Sequence, residues 1–134
     1  MISKHFKIQE LVPPHVYNSR RYLAWELIDP RLVETIDVLK WQFPAGTITI
    51  NNWLWGGDRE WSGLRTYGSP YYSSTSQHSF GRAVDCIFSA YTTEEVRQFV
   101  LDNPVLFPYV KGVEIAAWLH LDLRNSDTVK IFKG

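Results

Sequence analysis

The run Trp118-Leu119-His120-Leu121-Asp122-Leu123 alternates without a break. In an extended chain its three leucines fall on one side, and Trp118, His120 and Asp122 fall on the other. Such a strand turns the leucines to a core and holds an imidazole and a carboxylate on a rigid surface. Taken alone, the same pattern also describes a half-buried strand whose polar face is solvated. Ala83-Val84-Asp85-Cys86-Ile87-Phe88 reads as a second strand, with Ala83 and Asp85 on one face and Val84 and Cys86 on the other. Further strands are predicted over residues 47–51, 112–116 and 129–132, and the strand of His120 is predicted to span 118–124.

Upstream of these strands the periodicity is helical. Ser3 is placed to cap a short helix over Phe6, Ile8 and Leu11, which Pro13-Pro14 stops. A second helix is predicted from about 19 to 28, carrying Tyr22, Leu23, Trp25 and Leu27. Asp29-Pro30 opens a third, with Pro30 at the position where a missing N–H does no harm and with Leu32, Ile36 and Leu39 on its apolar face. Thr92 and Glu95 have capping-box spacing at the head of a helix running to about Leu101. Helices early and strands late, with few crossovers, predict an α+β domain: a mostly antiparallel sheet with the N-terminal helices packed on it.

The chain has 134 residues, enough for one domain (residues 1–134) and little more. Fourteen basic and fourteen acidic side chains cancel, which leaves no field to favour a nucleic-acid backbone. Hydrophobic residues at 45% predict a folded core, and no apolar run is long enough to insert in a membrane. The single cysteine, Cys86, excludes an internal disulfide framework and a cysteine-rich zinc site. Any metal must therefore be held by His, Asp or Glu. The first residues, Met-Ile-Ser-Lys-His-Phe-Lys, lack the apolar stretch of a signal peptide, so synthesis in the cytoplasm is expected.

Of the four histidines, His78 and His120 lie in strand or strand-entry segments with a carboxylate close in sequence. His78 precedes Asp85 by seven residues, and Gly81 between them lets the chain turn. His78, Asp85 and His120 together supply two nitrogens and one oxygen. That is a reasonable three-ligand zinc set with a fourth position left open, and an open position separates a catalytic site from a closed structural one. A hydrogen-bonded His–Asp pair beside a turn accounts for the first two residues equally well. The stretch from 52 to 77 is long, irregular and rich in Gly and aromatic residues, so it is expected to border a site.

Ser76-Gln77-His78-Ser79-Phe80-Gly81-Arg82-Ala83-Val84-Asp85 resembles the Ser-x-His-x-x-Gly-x-Ala-x-Asp signature of the M15 zinc peptidases, the D-Ala-D-Ala carboxypeptidase and peptidoglycan endopeptidase group. Trp118-Leu119-His120-Leu121-Asp122 is similar to that group's Trp-x-His-x-Asp ending, and Ser62-Gly63-Leu64-Arg65 to its Ser-Gly-Tyr-Arg element. The part from Phe6 to Asn52 looks like the small M15-type domains of bacteriophage and prophage genomes. The resemblance implies a Hedgehog/DD-peptidase-like fold, with zinc on His78, Asp85 and His120 and hydrolysis of an amide bond in cell-wall peptides. It also implies that Arg65 stabilises a developing oxyanion and that Ser76 contacts substrate or orients its loop; a turn-capping hydroxyl is the plainer role for Ser76. A non-catalytic, zinc-stabilised virion or wall-binding module of the same fold is the alternative.

Many members of that group carry a Glu three residues before the last histidine, where this chain has Ala117. Glu114, six residues before His120, has a spacing similar to that in the related Hedgehog domain, and a tight turn at residues 115–117 would return it to the metal face. Asp122 is the rival general base, unless it serves instead to hold a ligand imidazole. The aromatic residues of the long segment, including Trp61, Tyr71 and Tyr72, either line a cleft for a peptide stem or glycan, with Tyr72 in a substrate-binding role, or pack the segment on itself. A cell-wall substrate would require delivery through a lysis pore or in a virus particle.

Overall fold

The structure is a computed structural model and describes residues Met1–Gly134. Three α-helices and five strands form an α+β fold: α1 Pro14–Arg20, α2 Pro30–Gln42, β1 Ile48–Thr49, β2 Ala83–Phe88, α3 Thr93–Asp102, β3 Gly112–Ile115, β4 Leu119–Asp122 and β5 Lys130–Lys133. The sheet order is β1-β2-β4-β3-β5. All neighbours are antiparallel except β3 and β5, which run parallel, so the sheet is mixed at one edge.

Alternation in the strands separates two chemistries. Val84, Cys86, Val113, Leu119 and Leu121 are fully buried and join the apolar faces of α2 (Leu32, Ile36, Leu39) and α3 (Val96, Val100) in one core. The expected caps hold both helices. The Asp29 carboxylate accepts from the Arg31 N–H at 2.9 Å, and Thr92 and Glu95 exchange bonds of 3.1 and 2.7 Å. The opposite sheet face carries Asp85, His120 and Glu114 in one row. Asp85 pairs with His120 across β2 and β4, and Glu114 pairs with His120 across β3 and β4.

Three local expectations are corrected. Pro13-Pro14 starts α1 rather than stopping a helix: Pro13 is extended and Pro14 takes the first helical position. Before it there is only a 3-10 turn, Ile8–Glu10, although the Ser3 hydroxyl accepts from the Phe6 N–H at 2.9 Å. The helix predicted over 19–28 is a 3-10 helix, Arg21–Leu27, entered through a positive φ of 53° at Arg21. It buries Ala24 and Trp25 and leaves Tyr22 and Leu23 outside. The strand predicted over 47–51 pairs only at Ile48 and Thr49, because the Asn51 N–H donates instead to the Glu10 carbonyl, 3.0 Å away.

That departure roots the long irregular segment. The Asn51 side chain, fully buried, accepts from the Ser62 N–H at 2.9 Å and donates to the Val12 carbonyl at 3.1 Å. Asn52 accepts from the Arg59 N–H at 2.9 Å. Two asparagines thereby tie residues 58–62 beside the polar face of the sheet, and the segment borders a cleft there, as its length and composition predict.

Candidate metal centre

The cleft has a volume of about 650 Å³, and His78, Asp85, Glu114 and His120 stand in its wall. His78 comes from the 3-10 turn Gln77–Phe80, where the Ser76 hydroxyl accepts from the His78 N–H at 3.2 Å. Gly81 ends that turn with a φ of +68° and brings its backbone against the Leu27 carbonyl, where a Cβ would lie 2.0 Å from the oxygen. Only glycine fits both demands. The chain then enters β2 and presents Asp85.

One oxygen of Asp85 gathers the imidazoles. Asp85 Oδ1 lies 2.9 Å from His120 Nδ1 and 3.4 Å from His78 Nε2, and the three donor atoms fall within 4.8 Å of one another. Zinc in tetrahedral coordination, with bonds of about 2.0–2.2 Å, sets its donors roughly 3.3 Å apart. The spacing and the two-nitrogen, one-oxygen donor set fit a divalent cation.

Every donor is oriented from behind. His78 Nδ1 lies 2.8 Å from the Gly63 carbonyl, so it is the protonated nitrogen and leaves Nε2 to the cluster. His120 Nε2 is 2.7 Å from Asp122 Oδ2, which turns Nδ1 inward. Asp85 Oδ2 accepts from Arg65 Nη2 at 3.0 Å, which leaves Oδ1 for the cluster, and Arg65 Nε donates to the Trp61 carbonyl at 2.8 Å.

Charge alternates along this chain of contacts. Burial alone would raise the pKa of Asp85, but its bond with His120 and the proximity of His78 prevail and hold its carboxyl far below the usual carboxylate range. Burial likewise opposes a charge on His120. Its bonds to Asp122 and Asp85 overcome that cost and raise the imidazole to about 9. Asp122 is held low, against burial, by Arg124 and His120. Without a metal, His120 is thus an imidazolium that donates to carboxylates on both sides.

The two candidate bases differ sharply in surroundings. Asp122 has no exposed side-chain surface and takes three bonds from Arg124, at 2.8 Å from Nε, 2.7 Å from Nη2 and 3.2 Å from the backbone N–H, besides the one from His120. These contacts are those of the alternative expected for Asp122, a carboxylate that holds the His120 imidazole. Glu114 Oε2 lies 3.8 Å from His120 Nδ1, on the cluster side of the ring. β3 joins β4 through a tight turn at 116–118, one residue later than the expected 115–117 because Ile115 still pairs with Leu119; Arg97 Nη2 donates to the Ala116 carbonyl at 2.6 Å and Thr93 Oγ1 to the Ala117 carbonyl at 3.0 Å.

Ser76 and Arg65 both border the cleft. Tyr72 does not: it stacks on Tyr67 with ring centroids 5.0 Å apart, and its neighbour Tyr71 takes the place in the wall, with the Arg65 guanidinium 5.7 Å from its ring centroid. Sequence reasoning missed Arg124. The signal was present, since Arg124 continues the alternation of His120 and Asp122 one step further. It also missed Gly112, whose absent side chain makes room for Asp122.

Comparison with protein-family models, with curated proteins and with solved structures yields no match. What the site can do follows from its own donors, carboxylates and cleft.

Proposed function

We propose that this chain is a zinc-dependent peptidase that hydrolyses an amide bond in bacterial cell-wall peptides, with the Hedgehog/DD-peptidase-like fold of the M15 group. The observation that carries this reading is the convergence of His78 Nε2, Asp85 Oδ1 and His120 Nδ1 within 4.8 Å in the wall of the cleft, with Glu114 Oε2 3.8 Å from His120 Nδ1. These three atoms would hold the metal. Bound there, zinc supplies Lewis-acid polarisation of a carbonyl and a nucleophile at neutral pH.

The remaining work belongs to the protein. Glu114 takes the proton released by the attacking water at its carboxylate and returns it to the leaving amine. Arg65, fixed by Asp85 and Trp61, offers its remaining N–H groups to the oxyanion that develops on the scissile carbonyl. Trp61, Tyr71 and Trp118 give the cleft flat walls for a peptide stem. Delivery to the wall in a virus particle or through a lysis pore completes the proposal.

The test is to purify the chain, measure bound zinc, and follow amine release from peptidoglycan and from D-Ala-terminated peptides. About one zinc per chain with amine release, both abolished in His78→Ala, supports the enzyme. Folded protein that takes up no zinc contradicts it. Zinc without hydrolysis on any wall peptide would leave the non-catalytic module as the better description.

A further inference from the structure

Beside the cleft runs a stretch rich in hydroxyl-bearing side chains. Residues 66–77, Thr-Tyr-Gly-Ser-Pro-Tyr-Tyr-Ser-Ser-Thr-Ser-Gln, contain three tyrosines and six hydroxyl side chains and no charged residue. Tyr67 is 87% exposed and Tyr71 66% exposed, although large rings in water forgo burial worth about 1.5–3 kcal/mol each. The rings are nonetheless ordered. Tyr67 and Tyr72 stack at 5.0 Å with planes 29° apart. Backbone bonds from Ser69 to Thr66 at 2.9 Å and from Tyr72 to Ser69 at 3.2 Å close the turns between them, and the Ser69 hydroxyl accepts from the Tyr71 N–H at 3.0 Å.

We propose that Tyr67, with Tyr72 stacked behind it and Tyr71 beside it, is a platform for a neutral saccharide. The faces of sugar rings present C–H groups that pack on aromatic rings, and their hydroxyls exchange hydrogen bonds with Ser and Thr. The stretch carries no Lys or Arg of its own, and the neighbouring Arg65 is already engaged by Asp85 and the Trp61 carbonyl, which argues against a phosphate backbone as the ligand. Tyr71 belongs both to this surface and to the cleft wall, so a ligand lying on the platform continues into the candidate metal centre. On the reading of the cleft as a site for wall peptides, which this second step rests on, the saccharide is the glycan strand that carries the peptide. The chain then acts on the assembled polymer.

The probe is a soluble tetramer of N-acetylglucosamine, followed by NMR of the tyrosine ring protons. Saturable shifts at Tyr67, Tyr71 and Tyr72 are expected, with affinity reduced at least about fivefold in Tyr67→Ala and retained in Tyr67→Phe. Trp41→Ala removes another exposed ring, on α2, and should leave the affinity unchanged. A thermal melt of Tyr67→Ala matching the parent confirms that the fold is kept. No shift at millimolar saccharide, or equal weakening by Trp41→Ala, overturns the platform, as does a D-Ala-terminated peptide that binds these rings while the tetramer does not. The two proposals fail separately. Saccharide binding without any hydrolysis rejects only the enzyme, and hydrolysis of free peptides without saccharide binding rejects only the platform.

Discussion

Asp122 Oδ2 and His120 Nε2 lie 2.7 Å apart, and this contact, on the far side of the imidazole, decides which nitrogen the ring offers to the cluster. An imidazole has two nitrogens, and a hydrogen bond at one fixes the role of the other. Asp122 is itself clamped by Arg124, so three side chains two residues apart along β4 and its extension act as one unit. Removing the charge from this unit should loosen the metal and leave the fold intact. Asp122→Asn is expected to weaken zinc binding by about 10–100-fold in a chelator competition, with an unchanged far-UV spectrum. Unchanged affinity would show that the ring needs no such support.

The same contact makes the stability of the metal-free chain depend on pH. In the metal-free chain the folded pKa of His120, about 9, stands above its ordinary value of 6.5. The folded state therefore binds this proton more tightly than the unfolded state. The resulting stabilisation is complete below pH 6.5 and is lost as pH rises through 9. Urea melts of metal-free protein at pH 6 and pH 9.5 should show that loss, and Asp122→Asn should flatten it. Zinc competes for the same ring, so its binding should tighten over this window and release a proton. A stability that rises between pH 6.5 and 9 would contradict the arrangement.

Gly112 pairs with Asp122 across β3 and β4, and a Cβ there would lie 2.1 Å from the Asp122 carboxylate. The carboxylate is bonded on both oxygens and has nowhere to move. Gly112→Ala should cost about 1–3 kcal/mol of stability and weaken zinc binding together with it. Gly68→Ala is the control, because its Cβ would meet only Trp61 at an ordinary 4.0 Å. Equal melting temperatures for the two variants would show that the site tolerates the intrusion.

Much of this arrangement is legible in the sequence. The alternation in residues 118–123 and 83–88 separates core from site, because a pleated strand has no freedom to present its side chains otherwise. The Asp29-Pro30 and Thr92/Glu95 helix starts are equally local, each set by a side chain bonding to backbone two or three residues away. Tertiary partners were not readable. The Glu10 carbonyl draws Asn51 off the sheet edge, and a strand that looks five residues long pairs over two. The parallel pairing of β5 with β3 likewise depends on contacts distant in sequence. In the site, His78, Asp85 and His120 were found by residue type and face. The burial of Asp122, which distinguishes it from Glu114, comes from Arg124 and from the space above Gly112; alternation sets Arg124 on the same face but carries no sign of its bonds to Asp122 or of the clearance that a glycine gives on the neighbouring strand.

Glu114 is assigned the protons and no share of the metal. Glu114→Gln should retain stoichiometric zinc and lose hydrolysis by roughly 10²–10⁴-fold, with KM for a wall peptide little changed. Loss of zinc in this variant would make Glu114 a ligand instead.

Diffraction from zinc-loaded crystals, recorded at the zinc absorption edge, bears most directly on the centre. One anomalous peak is expected at about 2.0–2.2 Å from each of His78 Nε2, Asp85 Oδ1 and His120 Nδ1, with at least one further position open to the cleft. A peak bound elsewhere, or none at saturating zinc with these side chains in place, would contradict it.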